Sequence, residues 1–302
     1  MDYRPVDLGQ RGMELSSLEN TVDNLHRSGR SVMRFRLPIV GLVAISVLTT
    51  ILSFRYIDAA SAPAALNRDD TPPSAVLVEL FTSEGCSSCP PADALLERLD
   101  RSQQTSGADL IVLSEHVDYW NDIGWKDPYS SHEYSERQSA YAAQFGLGNI
   151  YTPQMIVDGR FEFVGSDERR AREAIQKATK VRKTPVSISS SLSDEKTPIL
   201  HIETGPLPAS STTESAGIFL AVADDSDESH VNAGENAGRT LTHVAVLRNL
   251  VRIGALDRSA GFSRDMKLGR NAKNARNLRI AVIVQEADAG RVWGAGFARL
   301  SN

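Results

Sequence analysis

The chain has little cysteine, no excess of basic residues and a single long apolar run. Its 302 residues include only two cysteines, too few for a disulfide-stapled scaffold or a four-cysteine zinc site. With 33 basic and 38 acidic residues the formal net charge is −5, so we expect no basic surface for a phosphate backbone and no nucleic-acid partner. A composition of 41% hydrophobic and 24% charged residues is that of a globular protein and argues against a polytopic membrane protein.

The apolar run at residues 37–54 carries no charge and is just long enough to span a bilayer. Two arginines precede it and a stretch of small residues follows it, which is the arrangement of a secretory signal or of a retained anchor. Met33 is the expected initiator, because it opens a compact signal. We predict an exported protein, periplasmic or extracellular, that contacts the membrane only through this segment. Residues 1–62 then form the extension with its signal or anchor, and residues 63–73 form a linker.

Between residues 74 and 183, buried strands alternate with helices. The expected elements are a strand at 75–81, a helix opening at the cysteines, a strand at 109–114, a helix at 130–145, a hairpin turning at Asp158-Gly159 and a helix from about 166 to 180. The strand, helix, strand order predicts parallel pairing through a right-handed crossover. Cys86 and Cys89 lie at the strand-to-helix junction, and Thr152-Pro153 directly precedes the hairpin. This is the order of the thioredoxin fold, whose members carry a cis-proline facing the cysteines at that position, so we predict an α/β thioredoxin-like domain.

From residue 184 to residue 302 the pattern changes to short strands separated by turn-rich segments, including one at 224–238. Regularly spaced strands without convincing helices predict a C-terminal all-β, sandwich-like domain. Three histidines of this region stand at no ligand-like spacing, so we expect no metal site among them. The run at 234–236, with Arg239, is either a functional loop near the cysteines or, the preferred interpretation, a tight turn satisfied by its own side chains.

Several runs resemble a bacterial secreted thioredoxin-like family catalogued as domain of unknown function 1223. The runs that carry the resemblance are Val-Glu-Leu-Phe-Thr-Ser-Glu-Gly-Cys-Ser-Ser-Cys-Pro-Pro-Ala-Asp (78–93), His-Val-Asp-Tyr-Trp-Asn (116–121), Gly-Trp-Lys-Asp-Pro (124–128), Tyr-Thr-Pro-Gln-Met-Ile-Val-Asp-Gly (151–159) and Gly-Glu-Asn-Ala-Gly-Arg-Thr-Leu-Thr-His (234–243). The resemblance implies a fold and a redox motif but no substrate.

The cysteine pair has the residues that thiol–disulfide exchange requires, namely an attacking thiolate and a second thiol that resolves the mixed disulfide. Cys86 is the expected attacker, exposed and stabilised as a thiolate by the helix amino terminus, and Cys89 is the expected resolving thiol. Pro153, if cis, presents backbone groups next to Thr152 to a bound peptide as an added strand. We therefore predict a thiol–disulfide oxidoreductase that needs no cofactor and acts on extracytoplasmic protein thiols and disulfides.

Five further residues are candidates for the site. Glu79, in the strand before the motif, is near the place where thioredoxins bury an acidic residue that exchanges protons with the second cysteine; its alternative role is a solvent-facing or salt-bridged strand residue. His116, Asp118, Trp120 and Trp125 are candidates to line a substrate groove, although the tryptophans could equally cover the sheet edge.

Two other functions stay open. Reduced Cys86 and Cys89 with His116 would form a soft site suited to monovalent copper, which makes a copper-delivery protein the main alternative. The second alternative is a non-enzymatic binding module in which the disulfide is an inert staple. A four-residue loop closes little chain entropy, however, so such a staple would stabilise the fold only weakly.

Overall fold

The structure is a computed structural model that describes residues 75–102, 109–193, 198–268 and 278–300. The predicted export segment at 37–54, the linker at 63–73 and the expected initiator Met33 lie outside the described residues and stay predictions. Among the residues described, no helix has the length and apolarity needed to cross a membrane.

The chain alternates strands and helices as far as Ala178 and then continues in strands. The first elements are β1 (Val76–Thr82), α1 (Pro90–Arg101), β2 (Leu110–His116), α2 (His132–Phe145), β3 (Gln154–Val157), β4 (Phe161–Val164) and α3 (Glu168–Ala178). The remaining elements are β5 (Val186–Leu192), β6 (Pro198–Thr204), β7 (Ser215–His230), β8 (Thr240–Asp257), β9 (Phe262–Lys267), β10 (Leu278–Gln285) and β11 (Val292–Arg299).

These strands form an eight-stranded mixed sheet and a three-stranded sheet. The large sheet has the order β11-β10-β7-β8-β2-β1-β3-β4, and the small one has the order β5-β6-β9. β1 and β2 are parallel, as the expected crossover requires. β2 joins β8 through a single parallel pair, Ser114 with Val246. This pair connects the strands of the cysteine-containing region to those of the C-terminal region.

The predicted fold class is wrong. An α/β thioredoxin-like domain followed by a separate all-β, sandwich-like domain was expected, whereas the described chain is mostly β, with three short helices and one large sheet built from both regions. The apolar packing is shared as well, because Leu77 and Ile111 belong to the same buried cluster as Ala221 and Ile283. Hydrophobic periodicity identifies a strand but carries no information about a partner far away in the chain, and that partner decides the architecture here.

Local signals explain how α1 begins and how it packs. Pro90 and Pro91 occupy its first positions, where a missing N–H costs no helical hydrogen bond. Its buried face, which includes Leu95, packs against Val78 and Leu80 of β1. The helix start, and with it the cysteine pair, is therefore fixed over one face of β1.

The β3–β4 hairpin turns where the sequence predicts. Asp158 and Gly159 have φ of 53° and 61°, the left-handed values that a two-residue hairpin turn needs. A Cβ at Gly159 would lie 2.2 Å from the carbonyl oxygen of Gly290, so this position requires glycine. The turn fixes the register of β3 against β4, and Pro153 immediately precedes β3, which also pairs with β1.

The C-terminal region departs from its sequence pattern at two places. β7 continues through Asp224 to His230, where a turn-rich segment was expected, and β9 was not predicted. The 224–230 stretch has no apolar face, so its composition resembles a loop, but a long antiparallel ladder with β8 holds it extended. The extension matters for the site because it brings Ser229 and, through β8, His243 close to the cysteine region.

Candidate redox site

Cys86 and Cys89 form a disulfide in the turn between β1 and α1, with their Cα atoms 5.5 Å apart. We call residues 83–89 the cysteine turn. Cys86 N donates to the Ser83 carbonyl at 3.2 Å, and Cys89 is the N-cap residue of α1. Contrary to the sequence prediction, Cys86 is not exposed, since both cysteines have 0% accessible surface. Ser87 and Ser88, between them, are exposed.

The start of α1 contributes a partial positive charge to this turn. No side chain caps the amino terminus of α1, so its partial positive charge is available to a thiolate in the turn. Asp93 lies one helical turn after Cys89 and accepts the Thr82 hydroxyl at 2.9 Å. Burial raises the pKa of Asp93.

Glu84, inside the cysteine turn, is the centre of a buried polar cluster that the sequence did not indicate. Its carboxylate accepts Trp125 Nε1–H at 2.7 Å and the Ser229 hydroxyl, and it lies 3.3 Å from His243 Nε2. Burial alone would raise the pKa of Glu84, but these three side-chain hydrogen bonds lower it. Trp125, expected to line a groove or cover the sheet edge, is thus a hydrogen-bond donor to the cysteine turn.

His116, a candidate to line a substrate groove, ends β2 and is fully buried. Its Nδ1 lies 2.7 Å from Asp127 Oδ2, and the same oxygen accepts the Glu84 backbone N–H at 2.8 Å. His116 is therefore linked to the cysteine turn through Asp127. The other ring nitrogen, Nε2, is buried and has no hydrogen-bond partner among the described residues.

His243 reaches this cluster from β8, 159 residues after Glu84. Its ring centroid is 4.6 Å from that of His116. Burial alone would lower the pKa of His243, but the hydrogen bond with Glu84 and the charges of two nearby aspartates raise it. The sequence analysis did not single out His243, and the only signal that could have found it is the 234–243 run of the family resemblance.

The 231–239 loop binds the backbone of the cysteine turn. Asn236 Nδ2 donates to the Glu84 and Cys86 carbonyls at 2.9 and 3.0 Å, and Glu235 Oε2 accepts the Ser87 N–H at 3.0 Å. The loop also satisfies part of its own backbone, as the turn interpretation required. Of the two interpretations left open, the structure therefore supports the loop near the cysteines, and its side chains are not merely self-satisfied.

Thr152, Pro153 and Trp120 lie beside the same turn. The Thr152–Pro153 peptide bond is cis, and Trp120 Nε1–H donates to Thr152 Oγ1 at 2.8 Å. A Cβ at Gly85 would lie 3.1 Å from Trp120 Cβ, which places the tryptophan directly against the cysteine turn.

Glu79 and Asp118 are held elsewhere. Glu79 faces α2, where it accepts Arg137 Nε–H at 2.9 Å and the Tyr141 hydroxyl at 2.5 Å. Its neighbours in β1 pack under α1, so Glu79 lies on the opposite face of the sheet from the cysteines. Asp118 accepts the Ser135 hydroxyl at 2.5 Å, at the start of α2. Of the nine site residues singled out, these two are not part of the cluster.

With the cysteines joined, the described residues hold no group of three or more His, Cys, Asp or Glu side chains arranged for a metal ion. Reduction would free two thiolates, the softest ligands in the cluster. The chemistry open to the oxidised pair is exchange of its disulfide with a thiolate, once a movement of the cysteine turn exposes a sulfur.

Comparison with known proteins gives a family and a fold. The model of a family described as "Protein of unknown function (DUF1223)" matches residues 77–285. No curated protein matches the chain. The crystal structure of protein AGR_C_4864 from Agrobacterium tumefaciens is similar, with 26% identity and a TM-score of 0.60 over 75% of this chain and 95% of that chain. HBP35 of Porphyromonas gingivalis has 12% identity and a TM-score of 0.52 over 75% of each chain, which shows a shared fold alone.

Proposed function

Because the chain belongs to the DUF1223 family of proteins of unknown function, its activity has to be inferred from the site, and we propose that it is a thiol–disulfide oxidoreductase acting through Cys86 and Cys89. The observation that supports this proposal is the disulfide at an uncapped helix amino terminus, in a turn whose Glu84 side chain and backbone are bound by polar side chains from β8 and two loops. As a staple the same bond would contribute only roughly 2 kcal/mol, because it closes a loop of four residues.

In the oxidising direction, the thiolate of a substrate attacks Cys86 Sγ. A substrate–Cys86 disulfide forms, the Cys86–Cys89 bond breaks, and its electron pair leaves with Cys89 as a thiolate. A second substrate thiolate then attacks the substrate sulfur of the mixed disulfide and releases Cys86. The substrate loses two electrons, which the cysteine pair takes up, and two protons, of which Cys89 takes one and solvent the other while Cys86 stays ionised. In the reverse direction Cys86 attacks a substrate disulfide and Cys89 resolves the intermediate.

We propose that Cys86 is the sulfur that substrates attack and that Cys89 is the leaving and resolving sulfur. The amino-terminal dipole of α1 stabilises a thiolate at Cys86, whereas Cys89 is the helix N-cap and is enclosed by the first turn. The exposed Ser87–Ser88 stretch is the side from which a partner can approach. Since both cysteines are covered in the oxidised form, exchange requires a local movement of the cysteine turn. We further propose that the substrates are extracytoplasmic proteins, as the predicted export segment implies.

The test uses two single-cysteine variants of the whole chain. Cys89→Ser should accumulate a mixed disulfide with a fluorescent peptide that contains an intramolecular disulfide, the other peptide sulfur leaving as a thiolate, and Cys86→Ser should not, because Cys86 is the proposed attacking thiol. Trapping is read on non-reducing gels and by mass spectrometry, with Ser88→Ala as the matched control that keeps both cysteines. Equal trapping by the two variants, or no trapping while the remaining thiol is demonstrably reduced, would sink the assignment.

A second candidate function is Cu(I) binding by the reduced cysteines and His116. The observation that favours it is His116 itself, because a histidine that ligates a metal commonly gives its other ring nitrogen to a carboxylate, as Nδ1 does here with Asp127. Reduced protein should then take one equivalent of Cu(I) from a chromogenic chelator and lose it on His116→Ala, with the exposed His132→Ala as control. Absence of binding by the reduced wild-type protein would eliminate this candidate.

A further inference from the structure

The 231–239 loop places a carboxylate on the cysteine turn. Glu235 Oε2 accepts the Ser87 backbone N–H at 3.0 Å, from a position 148 residues later in the chain. Asn236, 1% exposed, anchors the loop by donating to the Glu84 and Cys86 carbonyls, and Arg239 Nη1 donates in turn to Asn236 Oδ1 at 2.9 Å. The carboxylate is therefore held by a preformed loop and is not a freely rotating surface charge.

The position of this carboxylate matters because Ser87 follows Cys86 directly. The Ser87 nitrogen is separated from Cys86 Sγ by four covalent bonds, so standard bond lengths put the Glu235 carboxylate within about 8 Å of that sulfur. Its hydrogen bonds with Ser87 lower the pKa of Glu235, so the group is ionised at neutral pH. Reduction creates a second negative charge at Cys86, on the same backbone segment.

We propose that Glu235 sets the reduction potential of the Cys86–Cys89 pair by opposing the thiolate at Cys86. In the oxidised protein the Glu235 carboxylate meets hydrogen-bond donors of Ser87, its backbone N–H and its side chain, and no negative charge of the cysteines. In the reduced protein the Glu235 carboxylate faces the negative charge of the Cys86 thiolate. It also keeps its hydrogen bond with the Ser87 N–H, which would otherwise help to stabilise the thiolate. Glu235 thereby counteracts the helix dipole and makes the pair more reducing. It is a positioning residue, since it acts through Ser87 and never bonds to substrate, and the inference rests on the proposed redox function.

The size of the effect follows from Coulomb's law. Two unit charges about 8 Å apart change an equilibrium constant about twofold in bulk water and about thirtyfold at an effective dielectric constant of 20. We expect Glu235→Gln to shift the equilibrium with glutathione toward the dithiol by at least about threefold, where tenfold equals about 30 mV for a two-electron couple. Two glutathione thiolates supply the two electrons and leave as glutathione disulfide, Cys89 takes a proton and Cys86 stays ionised.

The glutamine variant keeps an acceptor oxygen for the Ser87 N–H, so the loop retains its contact with the cysteine turn. Glu235→Lys should shift the potential further in the same direction. Because the effect is electrostatic across an exposed site, it should shrink in 1 M salt, where the Debye length is about 3 Å. The pH dependence of alkylation should also show a lower pKa of the Cys86 thiol in the glutamine variant than in the wild type.

The matched control is Glu228→Gln, an exposed glutamate of β7 whose side chain has no contact with the cysteine turn in the described structure, and its potential should equal that of the wild type. A Glu235→Gln potential equal to the wild-type value at low salt would overturn the inference, and so would a shift of unchanged size in 1 M salt. The potential is measured on the purified protein with glutathione alone. Failure of Cys89→Ser to trap a substrate would therefore refute the proposed function without affecting the measured potentials. An unchanged potential of Glu235→Gln would refute the role of Glu235 without affecting the proposed function.

Discussion

The buried acidic cluster under α2 allows a sharp test of the electrostatics, through the substitution Glu115→Gln. Glu79 on β1 and Glu115 on β2 have side chains with 0% exposure, and both face Arg137. Arg137 Nη2 lies 2.5 Å from Glu79, whereas its Nε lies 3.5 Å from Glu115. One guanidinium cannot compensate two buried carboxylates, so one of them has to carry a proton. Burial, followed by the charge of Glu79, raises the pKa of Glu115 well above its ordinary value.

The sign and size of the effect follow from proton linkage. The ordinary value is 4.5, so above that pH the unfolded chain releases a proton that folded Glu115 retains. The free energy of unfolding of the wild type therefore falls by about 1.4 kcal/mol per pH unit on account of this group, until the pH reaches its folded pKa. Glutamine does not titrate. The stability of Glu115→Gln relative to the wild type should thus increase by about 1 kcal/mol between pH 5 and pH 6.

Urea unfolding curves at pH 5, 5.5 and 6 measure this difference directly. Glu136→Gln is the matched control, because Glu136 is on α2 with a side chain 70% exposed, and its stability relative to the wild type should stay constant over the same range. A difference for Glu115→Gln that does not change with pH would mean that both carboxyls are ionised in the folded protein. That result would refute the argument that one cation leaves one carboxyl protonated.

Two further substitutions test charges that lie along the large sheet. Burial and the neighbouring Asp224 raise the pKa of Asp227 to about 6 from an ordinary 3.8, so its ionisation costs stability at neutral pH. Allowing for partial exposure, Asp227→Asn should gain about 1 kcal/mol at pH 7 and nothing below pH 4 in urea unfolding; an equal gain at both pH values would contradict this. Arg279 is 1% exposed and binds Asp100 at 2.7 and 3.0 Å and Asp225 at 2.7 Å. Arg279→Met should cost about 3 kcal/mol in the same assay, because it removes the buried guanidinium that joins these carboxylates and leaves Arg299, 2.9 Å from Asp225 and 3.9 Å from Asp100, as the cation beside them. A cost below about 1 kcal/mol would show that Arg299 and water compensate the two charges.

Short-range patterns were sufficient to predict the segments that form the cysteine turn. The junction of a buried strand and a proline-started helix at Cys86, and the hairpin at Asp158-Gly159, depend on the conformations of adjacent residues. Each of these features is decided within a few residues, so the sequence contains the information locally.

The large-scale architecture was not accessible in this way. The junction of β2 with β8 consists of one pair, Ser114 with Val246, and neither residue carries a pattern that specifies the other. Glu79 shows the same limit at a single residue, because strand alternation reveals that it faces away from its neighbours but not which helix covers that face. Glu79, a candidate catalytic acid in the sequence, forms a buried ion pair with Arg137 of α2. Contacts between residues far apart in the chain decided both the order of the strands and the role of Glu79.

Side chains from far along the chain also form the surroundings of the cysteine turn. The Glu84 carboxylate, two residues before Cys86, has a histidine and a serine from the C-terminal region as partners, and the Ser87 amide has Glu235. A fragment that ended before residue 184 would lose His243, Ser229 and Glu235. It would also leave β2 as an unpaired sheet edge. Its cysteines would keep the helix dipole but lose the opposing carboxylate. In the redox function that we propose, the spacing of the two cysteines specifies the type of chemistry, whereas Glu235, 148 positions away from Ser87 in the chain, adjusts its driving force.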